Sequence, residues 1–404
     1  MKKLFLLLPI AALLLASCST DEQNIESQVQ KAPEGAIWFS SGLLETTRAT
    51  FTIDNFTKFK VTGLHSTNGF ENLLVTKTGN LWAYTGGETP EYKYWPSDNS
   101  SIDFFAYAPE TLTGMEITSL QKTMTGFTQT QRVAEHVDVL TAYTSGNKTA
   151  NASSGVAMPF KHALSQIEVR AKCSDAQYTV KVLGVKLCRV KNTGDMAFQT
   201  ASDEYPVWSN QDGKNSYIVE GETALTMTSS AQSVMFGSDN FLMVPQQLTA
   251  WTGSESDENG AYLSVLCQII KGSDQIFPYT AGKYSFTSVP ISTKWEPGHK
   301  YVYTLDFFGA GGGAGQYDPE PTNPDNPPLQ EGDEGYDPDQ PGNGNGEVNI
   351  DDDPTGQNDP DNPNHGNEPS SGDPIIPDAQ VALKFTVTIT DWINGEGDNE
   401  KLDL

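Results

Sequence analysis

Between Gly309 and Gln380 the sequence contains no lysine and no arginine. The same stretch carries 17 acidic residues, so most of the formal charge of −27 lies in one segment. A surface of that sign repels a phosphate backbone, which excludes nucleic acid as a partner. Histidine is scarce as well: His65, His136, His162, His299 and His365 are scattered. His136 and Asp138 have the spacing to share a strand face, but two ligands do not make a metal site. No Gly-x-Ser-x-Gly, phosphate loop or His-Glu-x-x-His occurs. Carboxylates abound in the acidic segment, yet nothing in its sequence would hold two of them at catalytic distance. The expectation is a protein that is not an enzyme, with no catalytic residues, no metal and no cofactor. Helical periodicity is missing too, since no window of 12 or more residues keeps an apolar face at helical spacing. Four cysteines are present. Beyond Cys18, an odd number remains (Cys173, Cys188 and Cys267), and these cannot all pair within the chain. Each lies in an apolar run, which leaves open three buried thiols or one Cys173–Cys188 bridge.

What is present begins with Met1-Lys2-Lys3, followed by the apolar run from Leu4 to Ala16. That run falls short of the about 20 residues a membrane-spanning helix needs, and its basic flank suits a secretory signal. It ends Leu15-Ala16-Ser17-Cys18, which looks like a bacterial lipobox. The expectation is a signal peptide over residues 1–17, lipidation at Cys18 and a flexible, lipidated stretch over 18–35. Asp21 and Glu22 follow closely, a weak version of an acidic export signal to the cell exterior.

From residue 36 onward short β-type runs alternate with turn clusters. Ile102, Phe104, Ala106 and Ala108 share one face at period two. So do Ile167, Val169, Ala171 and Cys173, then Leu263, Val265, Cys267 and Ile269, then Tyr301, Tyr303, Leu305 and Phe307. Turns are marked by Ser66-Thr67-Asn68-Gly69, Gln211-Asp212-Gly213 and Asp257-Glu258-Asn259-Gly260. This pattern predicts an all-β protein of antiparallel β-sandwiches. The small, polar stretch 144–155 divides it into an N-terminal sandwich over 36–155 and a C-terminal one over 156–308. Residues 309–378, rich in Pro, Gly, Asn and Asp, have too little apolar content for a core and are expected to form a long disordered acidic linker. Within it, 343–352 resembles a calcium loop, but Pro341 stands at the first ligand position. Order is expected again over 379–404. There Val381, Leu383, Phe385, Val387 and Ile389 form the cleanest alternating face of the chain, followed by Asp391-Trp392.

Several stretches in fixed order resemble the fimbrillin family, the subunits of type V pili and their anchor and tip accessories. They are the lipobox, Thr46-Thr47-Arg48-Ala49-Thr50-Phe51, the stretch 81–110, VAMPFKHALSQIEVRA over 156–171, and the late pair YVYTLDF and FTVTITDW. The resemblance implies two tandem transthyretin-like β-sandwich domains. It also implies an outer-membrane lipoprotein at the cell surface, with other fimbrial subunits as partners and a part in adhesion. Assembly would follow cleavage by an arginine-specific protease near the first strand, with a strand of another subunit entering the vacated groove. Arg48 fits the processing site, because it follows the apolar run Ala36-Ile37-Trp38-Phe39-Ser40 and the next arginine is Arg132. As a plain alternative, Arg48 is a surface charge. The strand with the face Val381, Leu383, Phe385, Val387 and Ile389 either donates to a neighbour or completes its own domain. The long acidic insertion departs from the family pattern. A second function class is a monomeric surface lipoprotein that binds a host protein or glycan, with Trp82, Tyr84, Tyr92, Tyr94 and Trp95 as the aromatic platform.

Overall fold

The structure, a computed structural model, describes residues 33–41, 56–78, 81–84, 92–237, 240–310, 312–320, 350–351, 353–357, 370–376, 383–392 and 400–402. In chain order the first strands are β1 (Phe39–Ser41), β2 (Lys58–Leu64), β3 (Phe70–Thr78), β4 (Leu81–Tyr84), β5 (Ile102–Ala108), β6 (Met115–Ile117), β7 (Lys122–Thr128), β8 (Leu140–Gly146), β9 (Val156–Met158) and β10 (Lys161–His162). Then follow β11 (Ser165–Cys173), β12 (Tyr178–Val190), β13 (Thr193–Ala197), β14 (Val207–Asp212), β15 (Asn215–Thr226), β16 (Gln232–Ser233) and β17 (Phe241–Met243). The last are β18 (Tyr262–Lys271), β19 (Asp274–Phe277), β20 (Ser285–Pro290), β21 (His299–Phe307), β22 (Gln316–Tyr317), β23 (Lys384–Asp391) and β24 (Glu400–Leu402). The fold is all-β, as the alternating runs predict. A four-residue helix, Lys148–Asn151, interrupts it, capped by the Asn147 side chain accepting from the Ala150 amide.

The first unit is one eight-stranded sheet in the order β10-β8-β5-β2-β3-β4-β1-β9. Its two end strands, β9 and β10, are joined only by Pro159-Phe160, so the sheet must curl to bring its ends together. The inside of the curl is aromatic. Phe39 of β1 meets Phe104 of β5 with ring centroids 5.7 Å apart, although three strands separate them along the sheet. The face Ile102, Phe104, Ala106 and Ala108 is fully buried there.

The second unit is a true two-layer sandwich. One layer runs β16-β11-β21-β23-β24 with β17 beside β11, the other β15-β12-β18-β20-β22 with β19 beside β18. The alternating faces read from β11, β18 and β21 meet in its core. A four-stranded sheet, β14-β13-β7-β6, fastens the two units together, because β6 and β7 lie between strands of the first unit and β13 and β14 between strands of the second. It packs on the outward residues Phe105 and Tyr107 of β5, which buries both faces of that strand.

Two sequence expectations need correction, and one open alternative is settled. Strands β9 and β10 pair with β1 and β8, so residues 156–162 complete the first unit, and the polar stretch 144–155 is a turn within it. The three cysteines beyond Cys18 are free and buried. Cys173 and Cys267 face the sandwich core, whereas Cys188 turns to the opposite face of β12, against Trp251 and Tyr262; no Cys173–Cys188 bridge forms. Burial pushes the Cys188 thiol up to about 12.

The second correction concerns the acidic linker, whose described parts are docked on the second sandwich. β22 pairs with β20, Ile350 bridges to Tyr284, and Ile375 is buried in the core. The cause is electrostatic as well as apolar. Lys186 of β12 is 1% exposed, and its ammonium lies 3.1 Å from Asp318, itself 1% exposed at the side chain. Tyr262 donates to Asp318 at 3.1 Å, Ser264 also donates to it, and Arg189 pairs with Glu320 at 2.7 Å. Burial alone would push the Lys186 ammonium down; the facing carboxylate outweighs it and holds the group above its ordinary value. Composition could not reveal this, because the two acids that dock look like the rest of the segment.

Two predictions follow from these buried charges and polar groups. Asp318→Ala strands the Lys186 charge and should cost about 3–5 kcal/mol in chemical denaturation, while the double change Lys186→Met with Asp318→Leu restores most of it. His136, 6% exposed and accepting from the Leu242 amide, is held neutral by burial down to about 4. The unfolded chain therefore binds a proton that the folded chain refuses. The stability His136 contributes is complete above its ordinary value of 6.5 and is lost as pH falls towards 4, by roughly 3 kcal/mol. In His136→Gln that part of the pH dependence should vanish from denaturation curves measured between pH 7 and 4.

Candidate functional site

The site of interest is the position that β1 occupies. This strand is short, yet it sits between two others: Phe39 pairs antiparallel with Trp82 of β4, while Phe39, Ser40 and Ser41 pair in parallel with Val156, Ala157 and Met158 of β9. The run ahead of it is also stitched in. Ile37 donates its amide to Lys93 at 2.8 Å, Ala36 bridges to Tyr94, and Val156 donates to Trp38 at 2.8 Å. Alternation explains the seating. Ile37 and Phe39 point into the curl and are 0% and 1% exposed, while Trp38 lies on the other side with its indole against Gly155. Gly155 has a φ of +76°, and a Cβ there would fall 2.7 Å from the Trp38 ring, so only glycine lets that ring lie flat. Phe39 also meets Phe59 at 6.0 Å in an edge-to-face contact.

The segment that plugs the first unit is thus short and lies at one end of the chain. Among the described strands β9 pairs only with β1, and β4 has β1 on one side and β3 on the other. Take β1 away and two strand edges and one apolar hole open together. Such an edge is a template for another extended segment with alternating apolar side chains. Among the described residues no group of three metal-ligating side chains converges.

The other residues singled out in the sequence are distributed as follows. Cys18, Arg48 and Val381 lie outside the described residues. Leu383, Phe385, Val387 and Ile389 lie in or next to β23, which pairs antiparallel with β21 of its own chain over eight residues, from Lys384↔Asp306 to Asp391↔His299. Leu383 and Val387 are buried in the core, whereas Phe385 and Ile389 are half-buried. Phe385 meets Tyr303 with centroids 5.8 Å apart. The strand with the donor pattern and the slot at β1 therefore belong to different units of one chain. Of the aromatic platform, Trp82 and Trp95 are buried in the first core, Tyr92 is half-buried, and Tyr94 is 47% exposed. The two tryptophans thus pack the first core, and of the described rings Tyr94 is the exposed one. Asp138 is paired with His162 rather than with His136. Sequence spacing missed that pair because 24 residues separate its members.

Among solved structures, a fimbrial protein from Bacteroides vulgatus is 17% identical over 67% of this chain and 94% of its own, with a TM-score of 0.42. A candidate cell adhesion protein from Bacteroides uniformis is 17% identical over 69% of this chain and 93% of its own, with a TM-score of 0.41. Another from Bacteroides ovatus is 13% identical over 67% and 92%, with a TM-score of 0.41. No curated protein matches the chain. The family model described as fimbrillin-like matches residues 47–314, well over half of the chain. On that match the chain belongs to the fimbrillin-like family, as a structural rather than a catalytic protein with a fimbrial role.

Proposed function

We propose that this protein is a subunit of a cell-surface fimbria that exchanges its first strand for a strand of another subunit. In this reading Cys18 carries the lipid that holds the precursor at the outer membrane. Cleavage after Arg48 releases residues 18–48, and with them the anchor and β1. The slot between β4 and β9 then accepts an alternating apolar strand. The segment with the face Val381, Leu383, Phe385, Val387 and Ile389 is the donor that this chain offers to the next. Adhesion to a host protein or glycan is a property of the assembled fibre.

The observation that carries this reading is the seating of Ile37 and Phe39. Both are essentially inaccessible, both precede Arg48, and both come from a segment a single cut can detach. Burying each contributes roughly 1.5–3 kcal/mol, so their loss leaves the first unit short of apolar contact until something replaces them. Backbone pairing along β4 and β9 would give the incoming strand its register. The monomeric glycan-binding alternative draws no support from the aromatic cluster, whose two tryptophans are internal.

Mass measurement of the N-terminus on intact cells tests the processing step. Wild-type protein should begin at Ala49, and Arg48→Ala should keep its lipidated N-terminus and stay out of fibres. A wild-type chain that keeps its lipidated Cys18 throughout would falsify the model. A second check separates plug from core. Phe39→Ala should lower the stability of the unprocessed precursor by about 3–5 kcal/mol. The same change should leave the stability of assembled, processed fibres where it was, because residue 39 is then gone.

A further inference from the structure

The strand β23 does not end freely. Trp392 follows it directly, donates its amide to Gly298 at 2.7 Å and is 4% exposed. Its indole lies flat on the imidazole of His162, with ring centroids 3.8 Å apart and an interplanar angle of 9°. His162 belongs to β10, in the curled sheet of the first unit. Its Nδ1 donates to Asp138 at 3.0 Å, and Asp138 and His162 are 1% and 5% exposed. The C-terminal strand is thus held at two places of different kind. Along its length it is paired with β21 in the second unit, and at its end a single ring is clamped against the first.

We infer that the stack of Trp392 on the Asp138-held His162 is a latch that keeps the C-terminal strand on its own body and must open before that strand can leave. The inference rests on the strand-exchange reading above for its purpose, though not for its geometry. Exchange of a strand between a chain and its neighbour replaces one set of backbone pairs and apolar contacts by another of the same kind, so it is nearly neutral at equilibrium. Control then falls to contacts with no counterpart in the destination. Trp392 on His162 is such a contact, because its partner ring sits on the chain being left. Opening also has a partial compensation. Among the described residues Trp392 Nε1, His162 Nε2 and the second Asp138 oxygen find no hydrogen-bond partner while buried, and all three become hydrated when the ring swings out. A closure built on stacking and one hydrogen bond, with three polar atoms waiting for water, is suited to yield when a neighbour arrives.

Hydrogen exchange followed by mass spectrometry on full-length protein tests this. Residues 384–391 should exchange about tenfold faster in His162→Ala and in Trp392→Ala than in wild type, with β12 and β18 unchanged. His162→Phe keeps a flat ring under Trp392 and should retain most of the protection. Unchanged exchange over 384–391 in either alanine variant overturns the latch. So does acceleration spread evenly over all strands, which would mean general weakening. Assembly of Arg-processed protein is the second arm, and both alanine variants should form fibres sooner. Faster exchange with no assembly in any variant would leave the latch standing and remove the strand-exchange function instead.

Discussion

The structure depends on a shortage: the curled sheet of the first unit cannot close its core from its own middle strands. β2, β3, β4, β5 and β8 line most of it, and the last place is taken by Ile37 and Phe39 from the edge of the described chain. A ring such as Phe39, in contact with Phe59 and Phe104, belongs to the core by every measure of packing. In the proposed processing it belongs to the segment that a cut after Arg48 would release, and on that reading the first unit has a replaceable wall. Edge strands are normally protected by charge, proline or cover, because an open edge pairs with whatever it meets. Here the cover for β4 and β9 is a segment of a few residues, and it lies upstream of Arg48.

The same logic runs through the second unit, with the opposite sign. Its core is contributed by long strands, β11, β12, β18 and β21, whose inward faces are complete. What is added late, β22, Ile375 and β23, lies towards the edges. The acidic segment is attached at its start by Asp318 on Lys186 and Glu320 on Arg189. A buried ion pair of this kind contributes little net stability over an apolar equivalent, but it fixes where a chain of otherwise uniform composition must dock. The described parts of the long insertion are docked at residues 316–320, at Ile350 and at Ile375, ahead of β23. The first unit holds β1 between β4 and β9, the second holds the alternating strand β23, and Trp392 on His162 ties the two.

Most of the strands were legible in the sequence because period-two alternation is a property of the chain itself. The faces of β5, β11, β18 and β21 were readable residue by residue, and their inward members are buried as expected. What could not be read was anything set by long-range choice. The burial of β5 on both faces follows from a four-stranded sheet assembled from two distant parts of the chain, which no local pattern announces. The assignment of β9 and β10 to the first unit depends on pairing with β1 and β8, more than a hundred residues away in the case of β1. The docking of Asp318 was hidden by its own surroundings, and Asp138 took a partner that spacing gave no reason to choose. At the candidate site, the apolar run Ala36–Ser40 was visible as a strand, whereas its place between β4 and β9 was not.

The central claim is that the space between Leu81–Tyr84 and Val156–Met158 is filled by a different chain once fibres exist. A cryo-electron reconstruction of an assembled fibre addresses it directly. The account predicts that residues 36–41 are absent from each subunit and that a strand with alternating apolar side chains, contributed by the neighbour, runs through that space. Density showing each subunit still closed by its own Ile37 and Phe39, with contacts between subunits made elsewhere, would contradict it.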